Sequence, residues 1–187
     1  MSNISFLINE DIWETIPKII KTSKHTDVVV AYLGTDGSQL LPLKKGDRLV
    51  VDMSISTVKA GATNPSEIKK LIKRGVQVFT RRSLHAKIVV TDKEVLTGSA
   101  NISKNSRDIL EEAAILTNDK IALQRAKNFI NQICTEPVLP EYLKECIKSY
   151  RPPRVSGKRV GTKGISRRVK HAKLRIDRKS TRLNSSH

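Results

Sequence analysis

Short β-branched runs separated by amphipathic segments constrain this chain more than any other feature. Asp27-Val-Val-Val-Ala-Tyr-Leu33, Arg48-Leu-Val-Val-Asp52, Val76 to Phe79, Ala86 to Thr91 and Ala113 to Leu116 read as strands, with Val95 to Thr97 as a short return strand. Asp36-Gly37 and Lys45-Gly46-Asp47 are turn signals. Ile8, Ile12, Ile16, Ile19 and Ile20 recur at helical spacing and predict a helix over residues 10–21, which Pro17 would kink or restart. Asn64 is a cap, Pro65 fits the first helical position, and Glu67 completes a capping box. Ile68, Leu71 and Ile72 give that helix its apolar face, and Gly75 ends it. Asn118 is expected to cap a further helix through Ile133, with Ile121, Ala122, Ala126, Phe129, Ile130 and Ile133 as its buried stripe, and Pro140 to Tyr150 forms the last helix. Alternation of this kind predicts an α/β fold: a mixed, mostly parallel β-sheet flanked by helices on both faces.

Charge divides the chain. The formal net charge is +17 over 187 residues, yet residues 1–150 carry only +5. Residues 151–176 hold ten basic side chains and no acidic one, including Arg151, Arg154, Lys158, Arg159, Lys163, Arg167, Arg168 and Lys170. The expected organisation is therefore a domain over 1–150 and a basic arm over 151–176, the start of a truncated C-terminal region. Such an arm usually faces a polyanion. Residues 177–187, DRKSTRLNSSH, match one reading frame of a common sequencing adapter and are expected to be translated adapter.

Composition excludes several classes. Aromatics at 4% are too few for an RNA-stacking platform. No apolar run approaches the ~18 residues of a membrane span. The N-terminus lacks a basic start followed by an apolar stretch, so no integral membrane association and a cytoplasmic location are expected. Cys134 and Cys146 are too few for a disulfide framework or a four-ligand zinc site and read as reduced, buried thiols.

The chemistry-bearing stretch is Leu84-His85-Ala86-Lys87-Ile-Val-Val-Thr-Asp92, followed by Gly98-Ser99-Ala100-Asn101. Strand alternation puts His85 and Lys87 on one face, about 7 Å apart along the chain. An imidazole beside an ammonium suits a phosphate: the lysine neutralises its oxygens, and the histidine acts as nucleophile or base. The Ser99 hydroxyl and the Asn101 amide can donate to phosphate oxygens. Either motif alone is commonplace. Their union in one short hairpin points to a site.

These residues resemble the phospholipase D superfamily pattern H-x-K-x4-D followed by G-[SG]-x-N, in its compact, single-motif, nuclease-like branch. His85, Lys87 and Asp92 match the first part, and Gly98, Ser99 and Asn101 match the second. The interval from Asp92 to Gly98 is one residue shorter than in the commonest form, so a tighter turn is expected. Family nucleases carry a glutamate opening the next strand; Glu112 fits, with Glu111 as the fallback.

The resemblance implies a reaction with no cofactor and no metal. His85 attacks phosphorus to form a phosphohistidine, Lys87 and Asn101 hold the phosphoryl oxygens with Ser99 assisting, and Glu112 orients a histidine ring. Asp92 and Gly98 take structural parts. A second histidine must protonate the leaving group, and the chain holds one such motif. His25 lacks the lysine partner. His171, in Lys170-His171-Ala172-Lys173, lacks the following aspartate and the G-S-x-N turn. The implied arrangement is a homodimer with its site at the two-fold interface. Nucleic acid is the expected partner, and a restriction or defence role would fit. The alternatives are a phospholipid phosphodiesterase or phosphatidyltransferase, and an inactive nucleic-acid-binding module.

Overall fold

The computed structural model describes residues 3–153. Arg154, Lys158, Arg159, Lys163, Arg167, Arg168, Lys170, His171 and the segment 177–187 lie outside the described residues. The elements run β1 (Ile4–Ile8), α1 (Glu10–Thr22), β2 (Asp27–Val30), α2 (Gly37–Leu40), β3 (Arg48–Val51), α3 (Ile55–Lys59), α4 (Pro65–Lys73), β4 (Gln77–Thr80), β5 (Lys87–Val90), β6 (Val95–Gly98), α5 (Lys104–Asp108), β7 (Ala113–Thr117), α6 (Lys120–Ile133) and α7 (Pro140–Ser149).

Seven strands form one mixed sheet in the order β1-β7-β6-β5-β2-β3-β4. Helices cover both of its faces, as expected, but the expected mostly parallel pairing does not hold. Only β2–β3 and β3–β4 are parallel; β2–β5, β5–β6, β6–β7 and β1–β7 are antiparallel. Parallel pairs need crossovers, and the helical segments joining β2 to β3 and β3 to β4 supply them. After β4 the chain turns back beside β2 and continues as a hairpin.

Alternation along the strands divides the core. Val28, Val30, Leu49, Val51, Val78, Val89, Leu96 and Ala114 face a layer that includes Ile12, Ile16 and Ile20 of α1 and Ile68 and Leu71 of α4. Val29, Val50, Val90 and Val95 face Ile130 and Ile133 of α6. Burial of these aliphatic side chains, each worth about 1.5–3 kcal/mol, is the main force holding the layers together.

Several local expectations are corrected. The first strand, Ile4-Ser-Phe-Leu-Ile8, was not expected, because Ile8 also fits the helical series with Ile12 and Ile16. Helix α1 runs through Pro17 without interruption. Asn64 caps α4 by accepting from Ser66 N–H at 2.9 Å, but Glu67 does not close a capping box. Its carboxylate instead accepts from Ser38, at 3.0 Å from the backbone N–H and 2.5 Å from the hydroxyl, and pairs with Lys70. Asp119, not Asn118, caps α6, accepting from Ala122 N–H at 2.8 Å, while Asn118 accepts from Asn3 N–H at 2.7 Å. Within the expected stripe of α6, Ile130 and Ile133 are buried; Ile121 is 66% exposed and Phe129 is also exposed. Cys146 is buried and Cys134 half-buried, both as free thiols. No helix among the described residues is long and apolar enough to cross a membrane.

Candidate active site

The turn between β5 and β6 brings the two halves of the motif together. His85 precedes β5 and Lys87 opens it. The Lys87 ammonium lies 3.3 Å from His85 Nε2 and donates to the His85 carbonyl at 2.8 Å. An ammonium has donors only, so Nε2 is the ring atom that can accept in this contact. The Nε2 lone pair is the one a nucleophile uses, so attack requires the ammonium to turn from Nε2 to the phosphoryl oxygens. Burial pushes the Lys87 pKa down from the usual lysine value, while the negative charge of Glu112 works in the opposite direction.

Strand β6 ends at Gly98, and the reason for glycine is steric. A Cβ there would lie 2.3 Å from the Ala113 carbonyl oxygen and 2.6 Å from the Ala114 Cβ. This close approach brings the next residue, Ser99, to the mouth of β7. Ser99 N–H donates to Ala113 O at 3.0 Å, and its hydroxyl accepts from Ala113 N–H at 3.1 Å.

Glu112 is buried at the centre of a polar cluster. Its carboxylate accepts from the Ser99 hydroxyl and, at 2.6 Å, from the Ser106 hydroxyl. Its backbone N–H donates to Asn9 Oδ1 at 2.8 Å. Two expectations change here. The single Ser99 proton is spent on Glu112, so this hydroxyl is not a free donor for phosphate. Within the described chain, Glu112 is held by serines and not by the His85 ring. Glu111, the fallback, is exposed and accepts from Asn9 Nδ2 at 2.5 Å. Asn9 and Ser106 belong to this cluster although sequence reasoning missed them. Ser106 lies on the short helix α5, and Asn9 lies far away in the chain, so neither had a local signal.

Asn101 is oriented from behind. Its Oδ1 accepts from Tyr32 N–H at 3.2 Å, which leaves the amide Nδ2 as the free donor end. Asp92 is placed apart from this cluster. Its carboxylate accepts from the Ser23 hydroxyl and, at 3.2 Å, from Lys24 N–H, tying the β5–β6 turn to the loop before β2. The Ser23 hydrogen bond above all holds the Asp92 pKa below the usual carboxylate range. His25 is also remote: its Nε2 lies 2.8 Å from Asp27, the carboxylate that pairs with Arg48. Arg151 is exposed, at the end of the described chain.

A hairpin presenting His-x-Lys on one strand and Gly-Ser-x-Asn after the next, backed by a buried glutamate at the mouth of a third, is the arrangement expected of the phospholipase D superfamily. The chain belongs to it: the family described as "Cardiolipin synthase, PLD-like domain" matches residues 16–134. No curated protein matches in sequence. Among solved structures the fold is similar to NucT from Helicobacter pylori, with a TM-score of 0.59 and 16% identity over 73% of this chain and 98% of that one. It is also similar to Nuc, a phospholipase D family member from Salmonella typhimurium, with a TM-score of 0.53 and 15% identity over 81% and 97% of the two chains. A third is the phosphatidylserine synthase of Haemophilus influenzae, with a TM-score of 0.55 and 15% identity over 78% of this chain and 41% of that one.

Proposed function

We propose that this protein is a phosphodiesterase that hydrolyses nucleic-acid phosphodiester bonds as a homodimer, through a phosphohistidine and without a metal. The observation that carries the reading is the His85–Lys87 contact, which sets His85 Nε2 beside a cation suited to the phosphoryl oxygens. His85 Nε2 attacks phosphorus, and the bond to the leaving oxygen breaks. A protonated His85 of a second copy gives that oxygen its proton. Water then attacks phosphorus, loses a proton to the now neutral second ring, and the P–N bond breaks. Lys87 and the Asn101 amide donor balance charge on the non-bridging oxygens.

Two further observations support the reading. The basic run 151–176 suits a polyanion and gives sequence-independent, salt-sensitive affinity. The sheet face that α6 covers over the central strands has no helix over β1 and β7 among the described residues. Ile4, Phe6 and Ile8 alternate onto it at 71%, 69% and 52% exposure, and Ile115, the partner of Phe6, is 42% exposed. These four side chains present roughly 450 Å² of apolar surface, in the range of functional patches. Residue Ile8 adjoins Asn9, whose side chain accepts from the Glu112 N–H, so the patch runs up to the polar cluster.

Labelled DNA, RNA and phospholipid incubated in EDTA, followed by trapping of an acid-labile phosphohistidine, test the proposal. Cleavage of nucleic acid with label retained on wild type and lost from His85→Ala is expected. Strict magnesium dependence, turnover by His85→Ala, or cleavage of phospholipid alone would overturn it. Mixing His85→Ala with wild type is expected to lower activity more than dilution does; a linear decline would remove the shared site.

A further inference from the structure

A second concavity opens at the end of the sheet that carries His85 and Lys87. It is a groove of about 570 Å³ beyond the C-terminal ends of β3 and β4, lined by Ser54, Ile55, Thr80, Arg82, Pro137 and Leu139 among others. Lys87 lies in register with Val30, Val51 and Thr80 across β5, β2, β3 and β4. At ~4.8 Å per strand the groove floor is thus roughly 14 Å from Lys87 along the sheet.

This groove is tied to the catalytic segment. The buried Asp52 carboxylate accepts from Ser54 N–H at 2.8 Å and from Ser83 N–H at 3.2 Å, so one side chain sets both the groove loop and the approach to His85. Tyr142, on the opposite wall, donates its hydroxyl to Met53 O at 2.8 Å, and its pKa is pushed up to about 12, mainly by burial. The walls are therefore preset.

The lining is chemically divided. Arg82 is exposed and has no ion-pair partner among the described residues. Pro137 and the exposed Leu139 offer an apolar wall to solvent. Glu136 also lines the groove and would repel a phosphate, so Arg82 is the lining residue that can hold one. A cation and an aliphatic surface in one groove match the two parts of a nucleotide, phosphate and base.

We propose that this groove is a subsite for a nucleotide flanking the scissile phosphate in a single strand, with Arg82 on the neighbouring phosphate and the unstacked base against Pro137 and Leu139. It rests on the nuclease reading and adds to it a strand preference, because a base paired in a duplex cannot turn into a side groove.

The test compares kcat/KM for a single-stranded oligonucleotide, its duplex, and bis(4-nitrophenyl) phosphate, which has one phosphate and nothing to place in the groove. Wild type is expected to favour the single strand over the duplex by about tenfold or more. Arg82→Ala and Leu139→Asp are each expected to lower the ratio of oligonucleotide to small-diester activity about tenfold, with a matching loss of affinity in oligonucleotide anisotropy. Leu139 is the N-cap of α7, where aspartate is favoured, so the second variant does not threaten folding. Equal cleavage of duplex and single strand, or ratios within twofold of wild type in both variants, would overturn the subsite alone. Cleavage of the small diester with no cleavage of any nucleic acid would instead overturn the nuclease reading beneath it.

Discussion

Asn9 and Glu112 hold each other across the β1–β7 junction: Asn9 N–H donates to the Glu112 carbonyl at 2.9 Å, and Glu112 N–H donates to Asn9 Oδ1 at 2.8 Å. Asn9 adopts φ +44°, a region that asparagine tolerates better than most residues. Asn9→Leu removes the side-chain acceptor and strains the backbone. It is expected to cost about 1–3 kcal/mol of stability and to lower kcat roughly tenfold by displacing Glu112. Urea titration alongside steady-state kinetics checks this, and full activity in a folded variant would show that Glu112 needs no such anchor.

Gly98→Ala places a methyl group into the Ala113 carbonyl. The expected outcome is a loss of roughly 1–3 kcal/mol in stability, with β6 and β7 forced apart. Activity should fall further than stability, because Ser99 moves away from Glu112. Thermal unfolding and turnover measured on the same preparation separate the two effects.

Lys87 is expected to give the proposed reaction an alkaline limb. Its pKa lies below the usual lysine value through burial, so the cation is lost, and turnover falls, earlier than an ordinary lysine would dictate. Lys87→Arg is expected to be slower but to move that limb upward, since guanidinium stays charged to about pH 12. A pH–rate profile unchanged by the substitution would assign the limb to another group.

Asp92 has a lowered pKa, so the unfolded chain takes up its proton first as pH falls. Its stabilising contribution is complete above the unfolded value of roughly 4 and disappears as pH drops through the lower folded value. Asp92→Asn is expected to cost about 1 kcal/mol near neutrality, after allowance for solvent screening, and to flatten the acid limb of stability. Urea midpoints across acidic pH measure it; kcat should change little, because the carboxylate faces Ser23 and Lys24 and not the site.

Phe6→Glu sets a charge in the centre of the bare β1–β7 face. A monomer by sedimentation, with phosphodiesterase activity reduced at least tenfold, is the expected result. A dimer that persists with full activity would place the second copy elsewhere.

Much of this was legible in the sequence because it depends on local pattern. The runs Val28-Val-Val30 and Leu49-Val-Val51 are too uniformly apolar for anything but a covered sheet, and the spacing from His85 to Asn101 carries the motif without reference to the rest of the chain. The misses have a common cause. Strand direction depends on which neighbour a strand selects, and nothing within Lys87–Val90 states that it will lie antiparallel to Asp27–Val30. Strand β1 is a five-residue alternation whose last isoleucine also fits a helix. Asn9, Ser106 and Tyr32 act on the site through contacts made only once the sheet is assembled. The Ser99 hydroxyl was assigned a free proton that a buried carboxylate claims in the fold.

The absence of room between Gly98 and β7 has a consequence for how this protein tolerates change. The spacing of Ser99 from Glu112 is dictated by the Gly98 main chain lying against the Ala113 carbonyl and the Ala114 methyl, with no longer side chain acting as a shim between them. Aliphatic residues in either layer can be exchanged for others of similar volume while the polar cluster keeps its spacing, so the core is free to drift in composition around a fixed polar gauge.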